Sequence, residues 1–247
     1  MFEMIDFHCH PDLYNNNFKL VEDAKINNLK LVAMTNLPGL YKRYDDKFGN
    51  EETIRISLGY HPQLVEEYPN EMKVFLNYVK QAKFIGEVGL DILSKKNNSL
   101  EQQKEIFARI MSECNKYGKK IISIHSRKAD DIIFDFLQKG SCIYIFHWYT
   151  GNVNRLLEAM SKDENIYASI NLDMVNTVHG RNMIESIPLS RIVLETDAPF
   201  TSWTKKIYPK DILIETTMGI SKIKNCEFKI TMEVILGNSK KIIRGDC

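Results

Sequence analysis

The chain contains 247 residues, of which 44% are hydrophobic and 26% charged, and its formal net charge at pH 7 is +1. These values are ordinary for a globular protein and exclude extensive disorder, and the length suits one large domain or two small ones. A charge this close to zero also excludes a strong overall field that would attract a polyanion. We predict a single domain over residues 1–247.

Along the chain, short apolar runs typical of strands alternate with longer stretches that have helical spacing. Repeated strand–helix units form a parallel sheet, and eight such units predict an α/β fold of the TIM (β/α)8 barrel type. Two further helices, 210–223 and 228–244, would follow the last strand, while the assignment of the polar segment 39–50 stays open. The predicted strands are 3–8, 29–35, 54–59, 83–87, 120–125, 142–147, 166–170 and 191–195. The predicted helices between them are 19–28, 70–82, 99–118, 128–139, 151–163 and 176–187.

Two absences in the sequence bear on location and redox chemistry. No run approaches the ~18 consecutive apolar residues that a membrane span needs, and the N-terminus lacks the pattern of a signal peptide. The five cysteines form no Cys-x-x-Cys pair and are odd in number, so neither a disulfide framework nor a thiolate zinc site is predicted. We therefore expect a cytoplasmic protein with no membrane partner.

Candidate metal ligands lie at or just past the ends of the predicted strands. On a strand, residues at i and i+2 point to the same face, so His8 and His10 can reach one cation. The active sites of TIM barrels form where the C-terminal ends of the strands emerge, so candidates at several strand ends would meet there. This predicts a metal site, and the alternative of satisfied polar residues at strand ends fits six candidates poorly. The candidates are His8, His10, Glu87, His125, His147 and Asp197.

Carboxylates near these ligands could hold the ligand histidines in position. Asp6 and Glu195 each lie two residues before a candidate ligand, so their side chains point to the same face, one step deeper in the barrel. Each could accept a hydrogen bond from the ring N–H of a ligand histidine that faces away from the metal. Asp91 could do the same, contact substrate or cap a loop. Four histidines with two carboxylates favour Zn, Mn or another transition ion over Mg.

Substrate contacts are predicted from side chains that follow the strand ends. Arg127 comes two residues after His125, and Lys205 follows the eighth strand, where phosphates could be met. The aromatic rings of Trp148, Tyr149 and Trp203 could stack on unpaired bases. Solvated loops and packing at the rim are the competing interpretations for these side chains.

Six segments, in order, resemble the motifs of TatD-type metal-dependent deoxyribonucleases. The resemblance extends over nearly the whole chain and includes the final helix around 233–243. It implies a TIM barrel of the amidohydrolase-like, TatD type, with a divalent metal centre that cleaves phosphodiester bonds in DNA. The segments are Asp6–His10 (DFHCH), Gly59–Pro62 (GYHP), Ile85–Asp91 (IGEVGLD), His125–Arg127 (HSR), His147–Gly151 (HWYTG) and Glu195–Pro199 (ETDAP).

The resemblance also implies roles for individual residues. It implies that two divalent ions (Mg, Mn or Zn) are bound, the second one by His125 and His147. Asp197 would accept the proton of the attacking water, and His61 would stabilise the transition state or protonate the leaving group. For His61, capping of the loop before Pro62 is the competing interpretation. The first ion would be held by His8, His10, Asp197 and Glu87, with Glu87 bridging to the second ion.

The segment after Pro199 departs from the family pattern, which continues with an Arg-rich stretch. Here the sequence of 200–209 is FTSWTKKIYP, and the chain resembles the TatD-like branch encoded in Qat anti-phage defence operons. This resemblance implies operon partner proteins, and the altered segment puts the usual exonuclease substrate of the family in doubt. The aromatic side chains described above favour a DNA substrate that is single-stranded or contains ends.

Two other functions stay open at this point. One is an amidohydrolase-type metal hydrolase of a substrate other than nucleic acid, although many such enzymes carry a lysine where this chain has Glu87. The other is a defence-complex subunit that acts mainly by binding, against which the full ligand set argues.

Overall fold

The computed structural model describes residues 3–93, 100–204 and 208–245. All eight predicted strands are present, and they follow one another in the sheet in chain order, from β1 to β8. Aliphatic and β-branched runs form them, as expected for parallel strands that are covered on both faces. The strands are Met4–Cys9 (β1), Leu29–Ala33 (β2), Ile54–Leu58 (β3), Phe84–Asp91 (β4), Ile121–Arg127 (β5), Ile143–His147 (β6), Ile166–Ile170 (β7) and Ile192–Leu194 (β8).

Most helices of the described residues lie where the sequence predicts them, and two further helices are present. The open segment 39–50 forms a helix, which begins with a proline in its first turn, where no backbone N–H is needed. A short helix that was not predicted, α6, follows β7. The helices are Asn17–Ile26 (α1), Pro38–Phe48 (α2), Glu71–Tyr78 (α3), Leu100–Tyr117 (α4), Val153–Lys162 (α5), Leu172–Asn176 (α6), Val178–Ser186 (α7), Pro209–Ile223 (α8) and Phe228–Arg244 (α9).

The predicted helix over 128–139 is wrong, because the segment forms only a 3-10 turn at Ile133–Phe136. Within that turn, the ring of Phe134 packs against Phe146 of β6, and the ring of Phe136 packs against Phe107 of α4. Residues two apart on a helix do not share a face, so these two contacts favour the irregular turn over a regular helix.

Among the helices that the structure describes, none combines the length and the apolar character that crossing a bilayer requires.

Internal contacts divide the chain into two compact units. The first unit comprises the residues up to Ala33, the segment Glu51–Arg55 and the residues from Tyr167 onward. The second unit comprises Met34–Asn50 and Ile56–Ile166. That residues 1–247 form one domain stays a prediction.

In the first unit, the first and the last strands are neighbours. β1 pairs with β2 in parallel, and β7 pairs with β8, with Ile170 opposite Leu194. Past the end of β8, the backbone N–H of Asp197 donates to the carbonyl of His8, at 2.9 Å. Helices α8 and α9 pack against each other and against β1 and β8. The polar residues that follow β1 and β8 are therefore neighbours.

In the second unit, β4 lies between β3 and β5 and is buried along its whole length. The register places Gly89 of β4 opposite His125 of β5, and Ile122 of β5 opposite Tyr144 of β6. Helix α4 packs against β4 through an apolar stripe that includes Phe107 and Ile110. The C-terminal ends of β4, β5 and β6 thus lie side by side in this unit.

Candidate metal centre

In the first unit, two histidines and one aspartate form a compact group, which we call the first cluster: His8, His10 and Asp197. The Nε2 atoms of His8 and His10 are 3.3 Å apart. The Oδ1 atom of Asp197 lies 3.8 Å from Nε2 of His8 and 3.6 Å from Nε2 of His10. All three side chains are buried. Three potential ligand atoms therefore converge on one point.

The first cluster fits a divalent ion. Donor atoms that share an ion through bonds of about 2.0–2.2 Å lie roughly 3–3.5 Å from one another, close to the observed separations. Imidazole nitrogen and carboxylate oxygen are also suitable ligands for Zn and Mn. The group can thus bind a cation with little rearrangement.

Asp6 joins the two chain segments that carry the first cluster. Its carboxylate accepts hydrogen bonds from the backbone N–H of His8, at 3.2 Å, and from the N–H and hydroxyl of Thr196, at 3.0 and 2.5 Å. Burial raises the pKa of Asp6 to about 7. Thr196 was missed in the sequence, where its position beside Asp197 was the only signal. Together the two residues fix the ends of β1 and β8.

Glu195 is held from the neighbouring strand. Its carboxylate accepts from the hydroxyl of Ser169 and from Nδ2 of Asn171, the latter at 3.0 Å. Asn171 also caps the first turn of α6 by accepting from the N–H of Met174, at 3.0 Å. These bonds connect the end of β8 to the end of β7. That Glu195 supports a ligand histidine stays a prediction.

In the second unit, three histidines surround one carboxylate, and we call this group the second cluster: His61, Glu87, His125 and His147. Oε1 of Glu87 lies 2.5 Å from Nδ1 of His125, 3.5 Å from Nε2 of His61 and 3.7 Å from Nε2 of His147. Burial alone would raise the pKa of Glu87, but His61 and His125 hold it well below its ordinary value. These two histidines therefore favour the charged form of Glu87.

His125 lies between two carboxylates. Its Nδ1 faces Glu87, and its Nε2 is 3.1 Å from Oδ2 of Asp91. Burial alone would lower the pKa of His125, but the charge of Glu87 and the hydrogen bonds with Asp91 and Glu87 raise it to about 9. Of the three roles left open for Asp91, the structure shows two, support of a histidine and capping of a loop through the N–H of Leu93, at 2.9 Å.

A glutamine that was missed in the sequence orients Asp91. Nε2 of Gln63 donates to Oδ2 of Asp91 at 2.6 Å, the same oxygen that faces His125. Gln103 of α4 holds the backbone of Asp91 through its N–H, at 2.8 Å, and its carbonyl, at 3.1 Å. Asp91 is thus fixed at both its side chain and its backbone, and it fixes the ring of His125 in turn.

His61 caps a loop and also faces the second cluster. Its Nδ1 accepts from the backbone N–H of Gln63, at 3.2 Å, which caps the 3-10 turn at Pro62–Leu64. A neutral imidazole has one N–H, so with Nδ1 accepting, the proton is on Nε2, which faces Glu87. Binding a metal through Nε2 would remove the only proton of the neutral ring, whereas His125 can lose a proton and stay neutral. Although His61 lies close enough to Glu87 and His125 to share an ion with them, its hydrogen bond to Gln63 therefore favours a role as hydrogen-bond donor.

The second cluster also contains side chains that could hold a divalent ion. Ligand atoms of His61, Glu87 and His125 lie within 4.8 Å of one another, and Nε2 of His147 lies 3.7 Å from Oε1 of Glu87. That His125 and His147 together hold an ion stays a prediction, and such an ion would displace the proton between Glu87 and His125. That Glu87 bridges two ions stays a prediction.

The predicted substrate contacts lie in different environments. Arg127 is exposed at the end of β5, and Trp148 is half-buried with its ring centroid 6.4 Å from that of His147. Tyr149 is buried, so its ring packs in the core and is not available to a base. The indole N–H of Trp203 donates to Asp173 at 2.9 Å. Lys205 lies outside the described residues, and the substrate roles predicted for Arg127, Trp148, Trp203 and Lys205 stay predictions.

Comparisons with known proteins agree with this architecture. A family model described as TatD related DNase matches residues 5–244. An uncharacterized metal-dependent hydrolase from Methanocaldococcus jannaschii is 28% identical over 250 residues, which cover 97% of this chain and 96% of that protein. A human deoxyribonuclease is 24% identical over 265 residues, which cover 97% of this chain and 94% of its own.

A solved structure shows the same fold. The crystal structure of a TatD homologue from Escherichia coli K12 matches with a TM-score of 0.83 and 16% identity, over 97% of each chain. The predicted TIM-barrel fold of the TatD type is confirmed by this likeness. Because the family model spans nearly all of the sequence, the chain belongs to the TatD-related DNase family of metal-dependent hydrolases.

Proposed function

We propose that this protein cleaves phosphodiester bonds in DNA and that it uses two divalent ions, one at each cluster. The observation that carries this proposal is the composition of the two clusters, since each places two or more histidine rings around one carboxylate. When bound, a divalent ion supplies the positive charge that a phosphodiester anion needs in order to accept a nucleophile. Mg, Mn and Zn are the candidate ions.

The side chains then have separate tasks. Asp197 is buried beside two imidazoles and is placed to accept a proton from the attacking water. His61 directs an N–H into the second cluster, where it would donate to a phosphate oxygen or to the leaving group. Glu87 and His125 hold their positions through a short hydrogen bond and through Asp91.

Several observations support DNA as the substrate. The human relative is named a deoxyribonuclease, and its match covers nearly the whole of both chains. Arg127 is exposed at the end of β5, next to a strand end that carries a predicted ligand, and would meet a phosphate. Trp148 and Lys205 complete the proposed substrate contacts. Because the net charge is only +1, DNA binding would depend on these local contacts. Stacking on the ring of Trp148 needs an unpaired base, which favours a single strand or a DNA end.

The narrower proposal is a role in anti-phage defence, in the cytoplasm, with partner proteins from a Qat-type operon. The sequence of 200–209 supports it, because this segment departs from the Arg-rich pattern of the family. Gene neighbours test the proposal cheaply. An ATPase gene and a gene for a nucleoside-modifying protein beside this one would support it, and housekeeping neighbours would remove its basis.

Cleavage can be tested with matched histidine variants. The protein would be stripped with a chelator and reloaded with Mg, Mn or Zn. It would then be incubated with end-labelled single-stranded DNA, duplex DNA and single-stranded RNA. We expect the wild type and His179→Ala, which changes an exposed histidine on α7, to cut DNA, and His125→Ala to lose the activity. Equal activity in both variants, or cleavage of RNA alone, would contradict the proposal.

A further inference from the structure

One exposed aromatic ring lies directly against the first cluster. Phe200 follows β8 by six residues, and 60% of its surface is exposed. Its ring centroid is 5.1 Å from that of His10, with the two planes at 82°. Single exposed apolar side chains are common and need no explanation by themselves. Phe200 is unusual because its ring touches a predicted metal ligand.

The exposure of Phe200 is built into the loop that carries it. The backbone N–H of Phe200 donates to the carbonyl of Asp197 at 2.7 Å. The hydroxyl of Thr201 donates to the carbonyl of Thr196 at 3.0 Å, and the indole N–H of Trp203 donates to Asp173 at 2.9 Å. The loop therefore presents the ring on a fixed backbone, so little conformational entropy would be lost when a ligand covers it.

The chemistry of an exposed phenyl ring beside a phosphate site suits a nucleobase. Every base has an aromatic face, and stacking on a side-chain ring does not depend on the identity of the base. In a nucleotide, only the sugar separates the base from its phosphate. A phosphate held at the first cluster would therefore bring its own base close to the ring that touches His10. The other aromatic residue of this loop, Trp203, donates its indole N–H to Asp173.

We infer that Phe200 is a stacking platform for the unpaired base of the nucleotide whose phosphate lies at the first cluster. The inference rests on the proposed function and narrows its substrate to single strands and frayed ends. A base inside a duplex has both faces covered by its neighbours and cannot stack on a protein ring without leaving the helix. Discrimination between single and double strands would thus be located in one side chain.

The experiment measures binding separately from cleavage. Metal-loaded protein would be mixed with a short single-stranded oligonucleotide that has phosphorothioate linkages, which resist cleavage, and a fluorescent 2-aminopurine at one end or the other. A matched oligonucleotide would lack the base at that end. The proteins compared would be the wild type, Phe200→Ala, Phe200→Trp and Phe228→Ala. Phe228 is 37% exposed and is separated from the loop by the whole of α8, about 22 Å of helix.

We expect Phe200→Ala to weaken binding of the base-bearing oligonucleotide about tenfold and to abolish the quenching of 2-aminopurine. Binding of the abasic oligonucleotide should be equally weak in the wild type and in Phe200→Ala. Phe200→Trp should keep both the affinity and the quenching, and Phe228→Ala should match the wild type. Metal content should be equal in all four proteins.

Three results would overturn the inference. They are an equal loss of affinity for base-bearing and abasic oligonucleotides in Phe200→Ala, no loss at all, or a loss of bound metal in that variant, which would show that the ring serves only to pack on His10. Failure of the proposed function would be seen elsewhere, as no cleavage of unmodified DNA by the wild type with any ion. In that case the binding and quenching data would still decide the role of Phe200.

Discussion

His61 and His125 differ in the hydrogen-bond partner of the ring nitrogen that faces away from Glu87. The Nδ1 atom of His61 accepts from a backbone N–H, so a proton on Nε2 points into the second cluster. The Nε2 atom of His125 faces the carboxylate of Asp91, which stabilises a proton there and leaves Nδ1 to face Glu87. Two histidines that look alike in the sequence are therefore prepared for different tasks, donation by His61 and metal binding by His125.

Replacement of His61 tests this difference. We expect His61→Ala to lower the rate of DNA cleavage about 100-fold, because one donor to the developing charge is lost, while the bound metal stays unchanged. Elemental analysis and cleavage assays on the same preparations would measure both quantities. His125→Ala serves as the comparison and should lose metal. A drop in metal content in His61→Ala would show that His61 is a ligand.

Replacement of Asp91 tests the support of His125. Asp91→Asn keeps the shape of the side chain but removes the charge, so the ring of His125 should become a poorer ligand. We expect the affinity for Mn or Zn, measured by titration calorimetry, to fall about 10- to 100-fold. The control is Asp131→Asn, which changes an exposed aspartate paired with Arg155. Unchanged affinity in Asp91→Asn would mean that the carboxylate serves only to cap the loop.

At the scale of the element, the close approach of β4 and β5 depends on a residue without a side chain. Gly89 has φ of +145°, and a Cβ atom built on it would lie 1.9 Å from the carbonyl oxygen of His125. The two strands could not keep this register with a larger residue at Gly89, because its side chain would overlap the backbone of His125. A glycine is thus part of what positions the second cluster.

Two glycine substitutions with opposite expected signs test this requirement. Gly89→Ala should lower the free energy of unfolding by about 3 kcal/mol or more, because of the overlap and the unfavourable φ. Gly237→Ala, in α9, meets no atom within 4 Å and should raise it by about 0.5–1 kcal/mol, as alanine favours helix. Urea unfolding of both variants would give the values. An unchanged free energy of unfolding in Gly89→Ala would show that β4 and β5 can move apart without loss of stability.

At the scale of the whole molecule, each compact unit contributes one of the two clusters, whose ionisable groups are buried or half-buried. In the first unit the cluster joins β1 to β8, and in the second it joins β4 to β5 and β6. Buried charges need partners, and an ion bound by a cluster would supply one for the carboxylates there. Metal binding should therefore stabilise the folded chain as well as enable catalysis, because the unfolded chain cannot assemble either set of ligands.

Thermal unfolding measures this coupling. At a free ion concentration 100 times the dissociation constant, binding at one site adds about 2.7 kcal/mol to the free energy of unfolding. For a chain of this size the Tm should rise by roughly 5–10 °C on addition of Mn or Zn and fall again with chelator. His179→Ala should show the same shift, and His10→Ala a smaller one. An identical Tm with and without ions would indicate that neither cluster binds them under the conditions used.

The sequence by itself determined the strands and the candidate ligands. Apolar runs marked all eight strands, because burial on both faces requires unbroken hydrophobic segments. The parity of His8 and His10 placed both on one face of β1, and the structure brings their Nε2 atoms to 3.3 Å. Periodicity failed at 128–139, where Phe134 and Phe136 have partners on different elements that local pattern does not reveal.

Only the tertiary structure decided how the ligands are held. Gln63 reaches Asp91, which is 28 residues away in the chain, and Thr196 reaches Asp6 across 190 residues. The backbone N–H of Gln63 favours one tautomer of His61, with the proton on Nε2. Such hydrogen bonds depend on which chain segments the fold brings within about 3 Å of each other, and polar residues in turns carry no periodic signal of their distant partners.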